Sequence, residues 1–378
     1  MIKKILILFI CWRISVLIIT LAATIVLPVA DESRYLGGGF INYVNSPVFF
    51  SQANFDGEHY IAIAIFGYKR LEQAFFPVYP LLIRFLSFPF YTSPYTSLVS
   101  SISVGAIISN LSFLLSLILL YKLIKLDYPL KIAWSTLVLI CLFPTSYFFT
   151  GVYTESLFLL LVVGSFLAAR KNIWWLAGIL GGIASATRVF GIFLLPVLII
   201  EWWFSKKSKI DLLWLFFIPF GLLAYMVYQS NLFGDYLAFY HLQVAVGEQR
   251  QLGIILLPQV FWRYLKILTT VDYRTEIYQT VVLELLNCLL FLGLILYGYL
   301  KKMRLSYLVF CLIGLLLSPL QGSLSSVPRY VIILFPGFIS LSLFLENRPR
   351  WVKWTVTLLF SLGLIVETTL FVRGYWVA

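Results

Sequence analysis

The residues able to do chemistry are few, and they cluster. The 378-residue chain holds only 16 acids and 2 histidines. Three acids and one histidine fall within 17 residues: Phe55-Asp56-Gly57-Glu58-His59-Tyr60, then Gly67-Tyr68, then Glu72 ahead of Ala74-Phe75-Phe76-Pro77. Interleaving with Phe, Tyr and Ile predicts partial burial of these acids. A positioned carboxylate of this kind can take a proton from a hydroxyl or orient a hydroxylated ligand. A solvated loop is the alternative that needs no chemistry.

Four further stretches carry polar groups beside apolar runs. In Pro144-Thr-Ser-Tyr-Phe-Phe-Thr-Gly-Val-Tyr153-Thr154-Glu155-Ser156, Glu155 falls in the first turn of a helix, where the dipole favours an acid. Arg188, in Ala-Thr-Arg-Val-Phe-Gly, sits at the end of an apolar segment, where a charge is costly enough to suggest a function. Pairing with Glu155 is its simpler explanation. A later stretch holds Asp235 and His241, and His241 suits either an interfacial role or a chemical one. In Ser323-Leu-Ser-Ser-Val-Pro328-Arg329-Tyr330 the hydroxyls before proline predict a capped helix start. Arg329 would then lie at the positive end of that helix, where N–H groups and a guanidinium suit a phosphate. A snorkelling arginine explains the same residue without a ligand.

The elements that must hold these residues are membrane helices. Hydrophobic residues make up 61% of the chain and charged ones 12%, with a mean hydropathy of +0.95. A soluble domain carries about twice that charge. Continuous Leu-, Ile- and Phe-rich runs exclude a β-barrel, whose strands alternate. Apolar segments fall near 5–28, 97–121, 132–149, 154–169, 173–187, 189–204, 211–230, 279–300, 305–320, 329–345 and 351–371. The expected fold is therefore all-α and polytopic, a single domain over 1–378 with about 11 transmembrane helices.

Lys3 and Lys4 precede a first apolar stretch too long for a signal peptide, which predicts an uncleaved span with a cytoplasmic N-terminus. Alternate threading then gathers Lys122/Lys125/Lys131, Arg170/Lys171, Lys206/Lys207/Lys209, Lys301/Lys302/Arg304 and Arg348/Arg350/Lys353 on the cytoplasmic side. Only Lys69-Arg70 breaks the pattern. The net charge of +12 is thus a topology signal and predicts no nucleic-acid partner. Residues 74–91 and 254–268, the latter bearing Arg263 and Lys266, are expected on the outer face as interfacial or re-entrant helices. Two large external loops, 29–96 and 231–278, then hold the working surface. The four cysteines are spaced singly, and there is no Walker motif, GxGxxG, HExxH or other metal-ligand pattern.

FDGEHYIAIAIFGY followed by ExxAFFPVYP resembles the first external loop of the PIG-V mannosyltransferases, the glycosylphosphatidylinositol mannosyltransferase II enzymes and their prokaryotic relatives. PTSYFFTGVYTES, ATRVFG and SSVPRY resemble further family motifs, in order, over about residues 5–345. Phe55 replaces the Trp usual before the acid. Such proteins are similar to GT-C glycosyltransferases. The resemblance implies a multi-span helical fold, an external active site, a polyprenyl-phosphate sugar donor with mannose as its sugar, and an inverting reaction; the lack of a ligand pattern among the carboxylates predicts no metal cofactor. The resemblance also implies that Asp56 is catalytic. The acceptor, whether glycan, lipid or protein, stays open. The short, simple loop plan suggests a prokaryotic plasma membrane with the site facing outside; eukaryotic members face the endoplasmic reticulum lumen.

These residues fit such a transfer. Asp56 would be general base, Arg329 would hold the donor phosphate, and Arg188 or Lys266 would supply a second cation. Glu58, His59, Glu72 and Glu155 would orient sugar hydroxyls or Asp56, with Tyr153, His241 and Tyr330 as further substrate contacts. A transporter or flippase, a lipid-linked glycan ligase and a scaffold without chemistry are the competing readings. A transporter would place its polar groups at the bilayer midplane, whereas the groups singled out above gather at span ends.

Overall fold

A computed structural model describes residues 1–31, 33–34, 36–69, 71–205, 208–242, 245 and 253–377. The topology signals Arg70, Lys206 and Lys207 lie outside the described residues. All eleven apolar segments are helical, and no strand occurs among the described residues. The helices that matter here are α1 (Ile2–Val26), α2 (Asp56–Phe66), α3 (Val78–Ser87), α4 (Pro94–Ile124), α5 (Leu130–Leu142), α6 (Glu155–Arg170) and α7 (Trp174–Ser185). They are followed by α8 (Leu194–Ser205), α9 (Phe217–Phe233), α10 (Leu257–Thr270), α11 (Glu276–Leu300), α12 (Leu305–Leu316), α13 (Phe335–Glu346) and α14 (Arg350–Val372).

Among the described residues, five helical segments are long and apolar enough to cross a bilayer unaided: Ile2–Val26, Pro94–Ile124, Lys209–Phe233, Ile277–Leu300 and Arg350–Val372. The other segments are shorter, and one of them is broken. The segment expected as a single span at 329–345 bends by 81° between Val327–Ile333 and Phe335–Glu346. Pro336 lies at the bend and has no N–H for the carbonyl of the preceding turn. The bend carries Arg329 off the axis of α13 and leaves it deep in the protein, 6% exposed.

At the centre stands α6, in which every residue except Leu160 and Arg170 is buried. Its small residues Gly164 and Ser165 admit neighbouring helices, and α4 and α7 pack along it. Contact between α7 and α9 is closer still. A Cβ on Gly221 would meet the carbonyl oxygen of Gly182 at 1.9 Å, so only glycine permits this backbone approach. The short helices draw their stability from such packing.

The far end of α6 tests the threading. Arg170 grips Asp127, just past α4, through two bonds of 2.5 and 2.8 Å, and its Nε reaches Glu201 of α8 at 3.2 Å. Arg304, just before α12, donates to Glu201 at 2.6 Å, and Ser306 adds a bond of 2.7 Å. Four turns assigned to one side of the membrane are therefore joined by one ionic cluster.

The two segments expected to lie on the surface are amphipathic helices, α3 and α10. Buried Tyr79, Pro80 and Ile83 hold α3 to the protein, while Leu81, Phe85 and Leu86 are exposed. The first loop is stitched to the C-terminal tail: the Tyr43 hydroxyl donates to the Val372 carbonyl at 2.5 Å and Asn54 Nδ2 to that of Phe371 at 3.0 Å.

Glu201 is 4% exposed and holds two guanidinium groups together. Glu201→Ala should lower unfolding free energy by about 3 kcal/mol, because it leaves two partly buried cations to share Asp127 alone. Denaturant titration in detergent measures this, and a change below about 0.5 kcal/mol, the scale of an ordinary surface substitution, would mean that the cluster does not hold the turns.

Candidate active site

Two chain segments with unusual backbone geometry deliver the central charges. Phe55, immediately before Asp56, adopts φ 53, ψ −119, a conformation rare for a side-chain-bearing residue. Its ring is held there by Phe371 and Trp376, with centroids 5.7 and 5.5 Å away. This starts α2 at Asp56 and turns the acid inward. Ser326 adopts φ 64, ψ 8, and the helix after it, Val327–Tyr330, is a single turn without a side-chain cap. The hydroxyl cap expected before Pro328 is thus absent, because a left-handed residue cannot present its side chain to the turn. Instead the Thr145 hydroxyl ties down the Pro328 carbonyl at 2.6 Å.

The charges form a chain. Arg329 NH1 donates to Asp56 Oδ2, and Arg329 Nε donates to Glu155 Oε1 at 2.5 Å. Arg188 NH1 reaches the same Glu155 oxygen at 2.5 Å and the Thr154 hydroxyl at 3.2 Å. Glu155 is fully buried at the first turn of α6. Its ionised form is sustained by two cations together with the helix N-terminus. The aromatic rings of Tyr153 and Tyr330 back the two guanidiniums, at 4.6 Å from Arg329 and 5.2 Å from Arg188. Tyr153 is itself fixed by a 2.7 Å bond to the Asn54 carbonyl.

A cavity of about 250 Å³ opens onto this chain. Asp56, Arg188, Arg329 and Tyr330 line it, with Phe75, Phe76 and Phe190 as apolar walls and Ser325, Ser326 and Gln321 as polar ones. Asp56 is the sole acid among its described lining residues, since Glu155 lies behind the guanidiniums. The Asp56 side chain is 27% exposed, enough to meet a ligand while held from behind. Tyr60 also lines the cavity, and burial pushes its phenol up, so it stays a neutral donor.

Other expected residues are placed elsewhere. Glu58 accepts the Gly38 N–H at 2.9 Å and, more weakly, the Gly39 N–H at 3.4 Å, both glycines having positive φ. Burial pushes its carboxyl up, partly offset by those bonds. His59 stacks on Phe75 at 4.7 Å, and Glu72 accepts the Lys69 N–H at 3.1 Å. Glu58, His59 and Glu72 line a separate outer cavity of about 630 Å³, because they occupy the other face of α2 and the turn beyond it. Half-exposed His241 bonds Asp235 at 2.7 Å, and this bond with the Leu237 N–H holds Asp235 below the usual carboxylate range. Lys266 is exposed on α10 and lines neither cavity; Arg263, one turn earlier, is the residue that turns inward, to the Gly322 carbonyl at 3.3 Å. Phe371 and Trp376, which shape the site from the chain's end, carried no motif. Arg13 did carry a signal that was passed over, a cation amid the first apolar run.

Comparison with known proteins gives a family match. The profile described as Mannosyltransferase (PIG-V) matches residues 2–204, just over half of the chain. That segment contains Asp56, Glu155 and Arg188, whereas Arg329 and the rest of the resemblance read as far as residue 345 lie beyond it. No curated protein matches. Among solved structures, the chain is similar to the apo Archaeoglobus fulgidus oligosaccharyltransferase, with 13% identity, a TM-score of 0.49, and coverage of 98% of this chain and 56% of that one. The same archaeal protein tethered with an acceptor peptide gives 15%, 0.44, 96% and 55%. In complex with an inhibitory peptide and a dolichol-phosphate it gives 12%, 0.42, 96% and 56%. The chain spans about half the length of that protein.

The buried chain of charges predicts strong coupling. Arg329→Met should cost about 3–5 kcal/mol of stability. Adding Glu155→Gln should restore part of it, leaving a coupling energy of about 1–3 kcal/mol in a double-mutant cycle. Additive losses would show that the two groups do not act as a pair.

Proposed function

This chain belongs to the PIG-V mannosyltransferase family, and from that membership we propose that it transfers a sugar, mannose, from a polyprenyl-phosphate donor to an extracytoplasmic hydroxyl acceptor with inversion. The observation that carries the reading is the lone carboxylate. Asp56 alone among the described acids faces the cavity, and two cations stand beside it. A retaining mechanism calls for two facing carboxyls about 5–5.5 Å apart, one of them a nucleophile. A single displacement needs only one base when the leaving group is already a phosphate.

In the proposed step the acceptor O–H gives its proton to Asp56 as its oxygen bonds to the anomeric carbon. The bond from that carbon to the phosphate oxygen breaks, and its electron pair leaves with the polyprenyl phosphate. Arg329, bonded to Asp56, orients the base. Arg188 and Arg329 meet the phosphate charge as it grows, which is where fixed cations aid a reaction most. Apolar walls such as Phe75, Phe76 and Phe190 would hold the isoprenoid stem. No step is routed through a metal. The exposed apolar surface of α3 fits a bilayer on the same side as the site, consistent with a donor supplied from the membrane. The proposed side is the extracytoplasmic one, opposite the ionic cluster of Arg170 and Arg304. The proposed acceptor remains a class, an alcohol of a glycan, lipid or protein.

Asp56→Asn should lower kcat at least about 100-fold while donor affinity changes less than threefold, the range of general-base loss. Transfer of labelled mannose from polyprenyl-phosphate mannose, in a membrane extract, provides the assay. Turnover near the wild-type rate would remove Asp56 from the mechanism. Arg329→Lys should raise donor KM more than acceptor KM, because a point charge replaces a fork; the reverse order would take the phosphate away from Arg329.

A further inference from the structure

A second cavity, of about 270 Å³, lies across three aromatic side chains from Asp56 and Arg329. Phe148, Tyr153 and Phe371 line it, and the same three residues line a small gap that also holds Asp56 and Arg329. Its floor carries Arg13. This residue stands eleven positions after Ile2 and thirteen before Val26 in α1, so it is about 16 and 20 Å from the helix ends at 1.5 Å per residue. That is far beyond what a snorkelling side chain spans. A cation at such depth needs a partner.

The protein supplies only part of one. Arg13 Nε donates to Asn110 Oδ1 at 3.0 Å. The Asn110 amide nitrogen donates to the Ala106 and Thr150 carbonyls at 2.7 and 3.0 Å, which fixes the oxygen toward Arg13. No carboxylate among the described residues pairs with Arg13. The first site is different, since Arg188 and Arg329 are matched there by Asp56 and Glu155. Two further lining residues, Tyr147 and Thr368, are 3% and 1% exposed, and their hydroxyls have no hydrogen-bond partner. Buried hydroxyls are ordinarily satisfied. Thr145, Ser146 and Thr150, all close to Tyr147 in the same turn, are bonded.

We propose that this second cavity binds the phosphate monoester of a membrane lipid, with the Arg13 guanidinium as its counter-ion and the Tyr147 and Thr368 hydroxyls as donors. An anionic acceptor of hydrogen bonds is what one unpaired guanidinium and two unpaired hydroxyls recognise. Depth and walls point to a lipid: Val16, Leu17, Val48 and Phe49 flank the cavity, and its cation sits mid-span. This site is separate from the one that holds the proposed sugar donor and stands without that reading.

The test uses the full chain in nanodiscs and a short isoprenyl phosphate bearing a photoreactive group. Labelled peptides are mapped by mass spectrometry. Labelling is expected on residues 16–20 and 46–52, which belong only to the second cavity. Arg13→Gln should reduce it about 10–100-fold, the range for a bond to a charged group. Arg13→Lys should retain much of it, and both variants should keep the wild-type elution volume and circular-dichroism spectrum, which shows that they are folded. Unlabelled isoprenyl phosphate and phosphatidic acid compete in separate arms, and displacement by either supports the site and names its source. Displacement by inorganic phosphate at equal concentration would overturn the lipid assignment. Labelling that spares 16–20 and 46–52, or that is unchanged in Arg13→Gln, would overturn the site.

Discussion

The site depends on one buried carboxylate, Glu155. Without its charge, two guanidiniums would repel one another within a few ångströms; with it, both are held at one oxygen. Arg329 in turn holds Asp56, so Glu155 positions the proposed base at one remove. A buried ion pair of this kind is a poor source of stability, because desolvation consumes most of the attraction. Its value lies in geometry. Segments from the first loop, the start of α6, the turn before α8 and the broken helix before α13 meet only where these four charges balance.

The strain at Phe55 and Ser326 follows from the same demand. Each sits on the segment that brings a charge to the cluster, and each adopts a backbone conformation that costs roughly 1–3 kcal/mol. Relaxing either would rotate Asp56 or Arg329 away. Aromatic contacts to Phe371 and Trp376 on one side, and the Thr145 bond on the other, hold the strained conformations in place. The C-terminal tail therefore belongs to the site, although it contributes no charge to it.

The helices were readable because apolar length is a one-dimensional signal. Every apolar segment became a helix, and the two Pro- and Arg-bearing ones became amphipathic helices. Lengths were less readable, since a segment such as 329–345 reads as continuous until Pro336 is weighed against the path the chain must take. At the site, Asp56 stood out in a loop cluster of acids and by the family resemblance, Glu155, Arg188 and Arg329 as charges at span ends, and the four converge. Proximity in sequence misled for Glu58, His59 and Glu72, because a helix turns successive residues to different faces and α2 presents Asp56 inward and Glu58 to the glycine loop. Sequence alone does not say which face of α10 turns inward, and Arg263, not Lys266, meets the protein there. Phe371 and Trp376 were unreadable, as an aromatic residue near an apolar run looks like any other.

Arg13 shows the opposite failure. The expectation that polar groups gather at span ends treated the first segment as plain lipid-facing helix. Yet a charge in the middle of a span is costlier than one at its end, and so harder to retain without a use. The two cavities now differ in a definite way. One presents a neutral set of charges and a partly exposed acid; the other is lined by a single cation and unsatisfied hydroxyls, with the Glu367 carboxyl buried beside Tyr147. Phe148, Tyr153 and Phe371 stand between the second cavity and the small gap that holds Asp56 and Arg329. A neutral, acid-bearing cavity suits a reaction in which charge moves from base to leaving group, while a net positive one suits an anion that stays charged throughout. The difference in charge between the two cavities is what the proposed difference in their occupants rests on.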